Sequence, residues 1–334
     1  MNADVAALLV TDSSHVSAAR LLVQRVAHSL EFDDTLAGRA SILASEAVTN
    51  VVKHAGGGTF LVRRLQGGGA LGLEILAIDA GPGMGELSAS SRDGVSTAGT
   101  PGTGLGAMGR LADEFQVHTQ PGVGTVVRMA IWNRPWEGPS PPYEWGAILV
   151  PKPGESACGD AWAVQADAGG MTLMVADGLG HGPDASRAAH TALDLLTRYP
   201  DQGALRLLDL AHARLRPTRG AAVAVARHEV GTAELEYAAV GNIASAIFDG
   251  PARRAMVSHN GIVGHNVHKS EAYRYAWPPG ALLVAHSDGL ESQWTLGGIP
   301  GVGSLHPSMI AGLLYRKHWR RRDDVVVVVV RRTA

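Results

Sequence analysis

The chain has 334 residues, 46% of them hydrophobic and 18% charged, with a net charge of −2. That length suits two domains, each able to bury its own core, and the near-neutral balance excludes the basic footprint of a nucleic-acid-binding protein. No apolar run approaches the ~20 residues that a membrane helix needs, so no membrane insertion is expected. The single cysteine, Cys158, excludes an intramolecular disulfide and suits a cytoplasmic protein. The N-terminus lacks a basic stretch followed by an apolar one, so a signal peptide is not expected. The arginine and lysine residues at 316–322 read as a solvated face or a local phosphate-attracting patch.

In chain order, helical periodicity runs over residues 17–30 and 36–54. Strand-like runs follow at 59–65 and 71–78, and then a glycine-rich stretch extends to Gly106. A short helix over 105–114 leads to strands at 115–119 and 125–131. Residues 132–145 read WNRPWEGPSPPYEW and hold four prolines. They end the periodic patterns on both sides, which predicts a linker over 133–145 between domains 1–132 and 146–334. Beyond it, strands are predicted at 147–150, 162–166, 172–176, 221–227, 235–239, 244–248, 282–285 and 325–330. Helices are predicted at 185–198, 204–215 and 307–315. The valine run at 325–330 is β-branched throughout and reads as a buried strand. Both halves are therefore α+β, with sheets backed by helices.

Three segments of the first half carry chemistry. Glu46 and Asn50 lie four apart in ASEAVTNVVKHA, which puts them on one helix face. An amide oxygen can ligate Mg²⁺, and a carboxylate can orient water or accept a proton from an attacking hydroxyl. Asp79 ends a strand in IDAGPGMG, where it can accept a hydrogen bond from an amino group such as that of adenine. Gly81 and Gly83 allow close backbone approach to a flat base. In GTPGTGLGAMGRL a glycine loop with Gly102, Gly104 and Gly106 runs into a helix, where free N–H groups favour phosphate. The Gly-Lys-Ser/Thr ending of a Walker A loop is absent.

The order and spacing of these segments resemble the GHKL ATPase fold over residues 10–132, and within it the RsbT-type serine kinases. The resemblance implies an α/β sandwich that binds ATP and Mg²⁺. It implies that Asn50 ligates the Mg²⁺, that Glu46 is the general base or water-orienting group and that Asp79 reads adenine. Gly81 and Gly83 would shape the base pocket, Gly102, Gly104 and Gly106 would form the phosphate lid, and Gly124–Thr125 would be the closing pair.

In the second half, Asp160 (ACGDAW), Asp177 (VADGLGHG), Asp288 (HSDGL) and Asp323–Asp324 (RRDD) lie at loop-like ends of apolar runs. Brought together, such carboxylates repel unless hard divalent ions neutralise them. Two such ions can also activate a water for phosphoester hydrolysis. The series resembles the SpoIIE-type branch of the PPM metal-dependent phosphatases, RsbX-type in particular, over about residues 145–331. That resemblance implies an αββα sandwich with two Mn²⁺ or Mg²⁺ ions at one end. Asp177 would bridge both ions with the Gly178 carbonyl as a further ligand, Asp288 and Asp323 would hold the first, and Asp160 would stand at the second through water. Asp324 is a weaker candidate than Asp323. The chain departs from the wider family at Gly159 and Leu179, where an acidic residue and a histidine are usual. No arginine precedes CGD to grip phosphate. Asn242, in the AVGN turn, is either a loop-positioning residue or a simple turn former. Cys158 reads as packing.

Together the resemblances imply a bifunctional switch that phosphorylates and dephosphorylates Ser/Thr of a STAS-domain partner in bacterial stress signalling. In the alternative, the phosphatase is kept and the N-terminal domain is a nucleotide-dependent, anti-sigma-like binding module.

Overall fold

The computed structural model describes residues 5–85, 104–135 and 141–333. The chain divides into two compact units between Ser140 and Pro141. Among the described residues no helix is long and apolar enough to cross a membrane.

The N-terminal unit is one antiparallel sheet backed by helices. Strand β1 (Val5–Val10) precedes helices α1 (His15–Ser29) and α2 (Asp34–Ala55). Strands β2 (Gly58–Gly67) and β3 (Ala70–Asp79) follow, then α3 (Gly104–Leu111), β4 (Glu114–Gln120) and β5 (Gly124–Trp132). The strand order is β1-β2-β3-β5-β4. Apolar residues spaced three or four apart make one face of each long helix: Ala19, Val23 and Ala27 on α1, and Leu43, Ala47 and Val51 on α2. These pack on Phe60, Val62, Ile75 and Met129 of the sheet. Asp33 caps α2 by accepting the Leu36 N–H at 2.8 Å, and Gly56 ends the helix in the left-handed region.

Side chains on the opposite sheet face alternate with that set, and several are charged yet buried. Glu74 accepts from Arg63 and, at 2.5 Å, from Arg128; Arg128 also reaches Glu114 at 2.7 Å. Glu114 in turn accepts the Trp132 indole N–H at 2.7 Å. This use of Glu114 as a strand residue explains why α3 stops at Leu111 rather than at the predicted 114.

The C-terminal unit is a sandwich of two five-stranded sheets. One has the order β15-β10-β9-β8-β7, with β7 (Asp160–Asp167), β8 (Gly170–Gly178), β9 (Ala221–Glu229), β10 (Glu234–Val240) and β15 (Tyr273–Ala276). The other has the order β12-β11-β16-β17-β6, with β6 (Tyr143–Val150), β11 (Ala244–Asp249), β12 (Ala252–Ala255), β16 (Leu282–His286) and β17 (Val325–Arg332). A small hairpin is formed by β13 (Gly261–Ile262) and β14 (Asn266–Val267). Helices α4 (Pro183–Arg198) and α5 (Ala204–Leu215) cover the first sheet, and α6 (Pro307–His318) covers the second. The unit is thus αββα. The valine run lies in β17, and Val325 to Val330 are all fully buried because the strand is covered on both faces.

Strand β6 takes up the last three residues of the predicted linker, which corrects its C-terminal bound. Tyr143 is buried there and donates its hydroxyl proton to His228 Nδ1 at 2.6 Å. Burial keeps His228 neutral, so its Nε2–H donates to the Thr232 carbonyl at 3.1 Å. Tyr143 also stacks on Trp277 with ring centroids 6.0 Å apart.

Glu74→Ala would leave the buried guanidiniums of Arg63 and Arg128 without their shared carboxylate. A loss of about 3 kcal/mol or more is expected, read as a lower urea midpoint for the N-terminal unit.

Candidate functional site

In the N-terminal unit, one turn of α2 sets Glu46 and Asn50 side by side, and the start of α3 lies against them. A Cβ built on Gly104 would stand 3.2 Å from Asn50 Nδ2 and 3.6 Å from Glu46 Oε2. Asp79 ends β3 next to the far end of the same helix. Its Oδ1 accepts the Gly81 N–H at 2.9 Å and the Thr125 N–H at 3.2 Å, so the carboxylate ties the glycine turn to the last strand. Two glycines are required by this closeness. Gly83 has φ +66° and a Cβ there would meet the Gln120 carbonyl at 2.2 Å; at Gly124, φ is +122° and a Cβ would meet the Asp79 carbonyl at 2.2 Å. Thr125 shares a hydroxyl hydrogen bond with Thr119 at 3.1 Å. Thus Glu46, Asn50 and Gly104 meet at one point, and Asp79, Gly81, Gly83 and Thr125 meet at another along the same helix and sheet edge. Gly106 lies in the first turn of α3, and Gly102 lies outside the described residues.

In the C-terminal unit, register brings the acids together. Asp160, first in β7, pairs directly with Asp177 near the end of β8. From the other sheet come Asp288, just after β16, and Asp323–Asp324, just before β17. Burial first, then the charges of Asp288, Asp323 and Asp324, push Asp177 up to about 7. Asp160 is fully buried and is pushed well above the usual carboxylate range, by burial first and then by Asp177. Burial and the facing Asp177 thus both favour the neutral form of Asp160. Asp288 is exposed, and its Oδ2 accepts from Asn242 Nδ2 at 2.8 Å, so the AVGN turn does position this carboxylate.

Asp323 and Asp324 differ sharply. Asp323 is half-buried and its Oδ1 accepts the Asp324 N–H at 2.9 Å. Asp324 is buried, with Oδ1 accepting the Lys152 N–H at 2.8 Å and Oδ2 left without a hydrogen-bond partner. That oxygen explains Gly159: a Cβ there would stand 2.7 Å from it. The Gly178 N–H donates to the Gly159 carbonyl at 3.0 Å, and the Leu179 N–H to the Gly220 carbonyl at 3.0 Å, which fixes the loop after Asp177. His181 faces Glu155 at 2.7 Å instead of the acids. Burial and the neighbouring Asp160 and Asp324 push the Cys158 thiol far up, which leaves it an unreactive packing group.

The donor chemistry fits divalent cations: oxygen ligands only, crowded enough to hold protons, with one buried carboxylate oxygen unpartnered. Among the described residues, no three His, Cys, Asp or Glu side chains converge into a finished cage.

Fold and site together define a chain with a nucleotide-type unit followed by a phosphatase-type unit. Residues 9–131 match the model of the histidine kinase-like ATPase domain, and residues 167–333 match that of stage II sporulation protein E (SpoIIE). The N-terminal half is similar to the serine/threonine-protein kinase RsbT of Bacillus subtilis, 35% identical over 119 residues, 36% of this chain and 90% of that protein. The C-terminal half is similar to the phosphoserine phosphatase RsbX of the same organism, 25% identical over 141 residues, 42% of this chain and 70% of that protein. A solved structure described as "The bacterial stressosome: a modular system that has been adapted to control secondary messenger signaling" is 34% identical, with a TM-score of 0.52, over 57% of this chain and 99% of that one. The chain belongs to the SpoIIE family, in which its C-terminal unit is a serine phosphatase domain, and it carries a histidine kinase-like ATPase domain before it.

Between about pH 4 and pH 7 the folded unit keeps the Asp177 proton that an unfolded chain releases. Metal-free stability therefore falls as pH rises through that window. Thermal melts in chelator should show the C-terminal transition several degrees lower at pH 8 than at pH 5. Asp177→Asn should flatten that dependence and raise the pH 8 melting temperature, because the amide carries no charge to bury.

Proposed function

We propose that this chain writes and erases one phosphate on a serine or threonine of a STAS-domain partner in a partner-switching system. The N-terminal unit transfers the phosphate from Mg·ATP, and the C-terminal unit removes it by hydrolysis. The observation that carries the reading is that Asp177 of one sheet lies within electrostatic reach of Asp288 and Asp323 of the other, at one edge of the sandwich, on a chain whose other half is RsbT-like. A kinase relative and a phosphatase relative joined in one chain support opposed activities.

In the transfer reaction Glu46 accepts the proton of the attacking hydroxyl, and Asn50 offers its amide oxygen to Mg²⁺ beside it. Asp79, held by the Gly81 and Thr125 N–H groups, presents its carboxylate to the adenine amino group. The start of α3 directs backbone N–H groups toward phosphate.

In the hydrolytic unit, Asp177, the Gly178 carbonyl, Asp288 and Asp323 would hold two divalent ions, Mn²⁺ or Mg²⁺. When bound, such ions neutralise the carboxylates and supply an activated water. Asp160 stands behind Asp177 and orients it, and Asn242 orients Asp288. No side chain is needed as a nucleophile.

The test is a two-way assay on a STAS-domain protein encoded beside this one. With Mg·ATP, transfer should occur and should fall by at least a hundredfold in Glu46→Ala. With the phosphorylated partner and Mn²⁺, release should be lost in Asp177→Asn and kept in Glu46→Ala. Release without any transfer by the wild type would turn the N-terminal unit into a nucleotide-dependent binding module.

A further inference from the structure

The candidate ligands come from two separate sheets, so their spacing depends on whatever ties those sheets together at this edge. Ser287 makes that tie. It lies between His286, the last residue of β16, and Asp288, and it is 1% exposed. Its hydroxyl crosses the sandwich to donate to Asp160 Oδ2 at 2.6 Å. The same oxygen accepts the Val326 N–H of β17 at 3.1 Å.

The rest of Ser287 is equally committed. Its N–H donates to the Val326 carbonyl at 3.1 Å, and its carbonyl accepts His286 Nδ1–H at 2.8 Å. His286 is held in that tautomer by Trp294, whose indole N–H donates to Nε2 at 3.2 Å. One hydroxyl thus joins β7, the loop carrying Asp288, and β17 just beyond Asp323 and Asp324. A hydroxyl does this because it donates once and accepts as well. A methyl group would leave the buried Asp160 Oδ2 without its donor and the buried Val326 N–H without its acceptor.

We propose that Ser287 is a positioning residue for the phosphatase centre: it sets Asp160 behind Asp177 and fixes the separation of the two ligand-bearing sheets. It touches neither substrate nor ion, and it acts through Asp160. The proposal rests on the metal-dependent phosphatase reading above.

The experiment uses the full chain in three forms, wild type, Ser287→Ala and Ser287→Thr. Mn²⁺ binding is measured by calorimetry in the absence of substrate, and hydrolysis of a phosphoserine peptide is measured at saturating Mn²⁺. Loss of an outer-shell partner lowers metal affinity about 10- to 100-fold. Ser287→Ala should therefore weaken Mn²⁺ binding about tenfold or more. It should lower kcat at saturating Mn²⁺ while leaving KM for the peptide within twofold. Ser287→Thr keeps the hydroxyl and should restore both quantities to within threefold of wild type. The proposal is overturned if folded Ser287→Ala binds Mn²⁺ as the wild type does, or if folded Ser287→Thr is as impaired as the alanine variant. A wild-type chain that neither binds Mn²⁺ nor hydrolyses the peptide would instead overturn the phosphatase reading itself.

Discussion

Carboxylates drawn from two sheets repel one another at a single edge of the C-terminal sandwich, and much of that unit is arranged to hold them there. The repulsion and the burial are large enough to keep Asp177 protonated up to about pH 7. The surrounding structure supplies compensation through neutral donors: the Ser287 hydroxyl for Asp160, the Asn242 amide for Asp288 and the Lys152 N–H for Asp324. Each donor holds a carboxyl group in place. A site built this way costs stability while it lacks cations and recovers it when they bind.

The N-terminal unit meets its electrostatic problem in the opposite manner. Its buried cations, Arg63 and Arg128, are balanced across neighbouring strands by the buried Glu74 and the partly exposed Glu114, and the cluster plays a structural part. Its candidate functional groups are left with little charge to compensate. Glu46 and Asn50 stand on a helix, and Asp79 is satisfied by backbone N–H groups. Shape does the remaining work there, since glycine backbone approaches that no side chain would allow bring the α2 end, the Asp79 turn and the β4–β5 hairpin together.

Ser287 and Gly159 illustrate how positions beside a motif acquire meaning. In HSDGL the aspartate is the candidate ligand, and the serine before it bridges the sheets. Gly159 departs from the acidic residue usual in the wider family, and the volume a side chain would need is filled by the Asp324 carboxylate, 172 residues from the Lys152 N–H it also binds in sequence distance. Asp324 is thus a buried organiser of the edge, whereas Asp323 stays half-exposed.

The amino-acid sequence by itself determined the long helices, most of the strands and the two-unit α+β organisation, because periodic apolar spacing states directly which face of an element is buried. It also singled out the acidic and glycine-bearing segments as candidates for chemistry. It did not reveal β1, whose residues are mostly half-buried, or β12, which is exposed throughout, since neither has the alternation that marks a half-buried strand. Tyr143 could not be separated from the proline-rich stretch until His228 and Trp277 were seen to enclose it. Only the tertiary structure decided that Ser287 meets Asp160, that Asn242 meets Asp288 and that Asp324 fills the space beside Gly159. Those contacts join residues from 46 to more than 100 positions apart, and strand register and sheet packing set them, which leave no local trace along the chain.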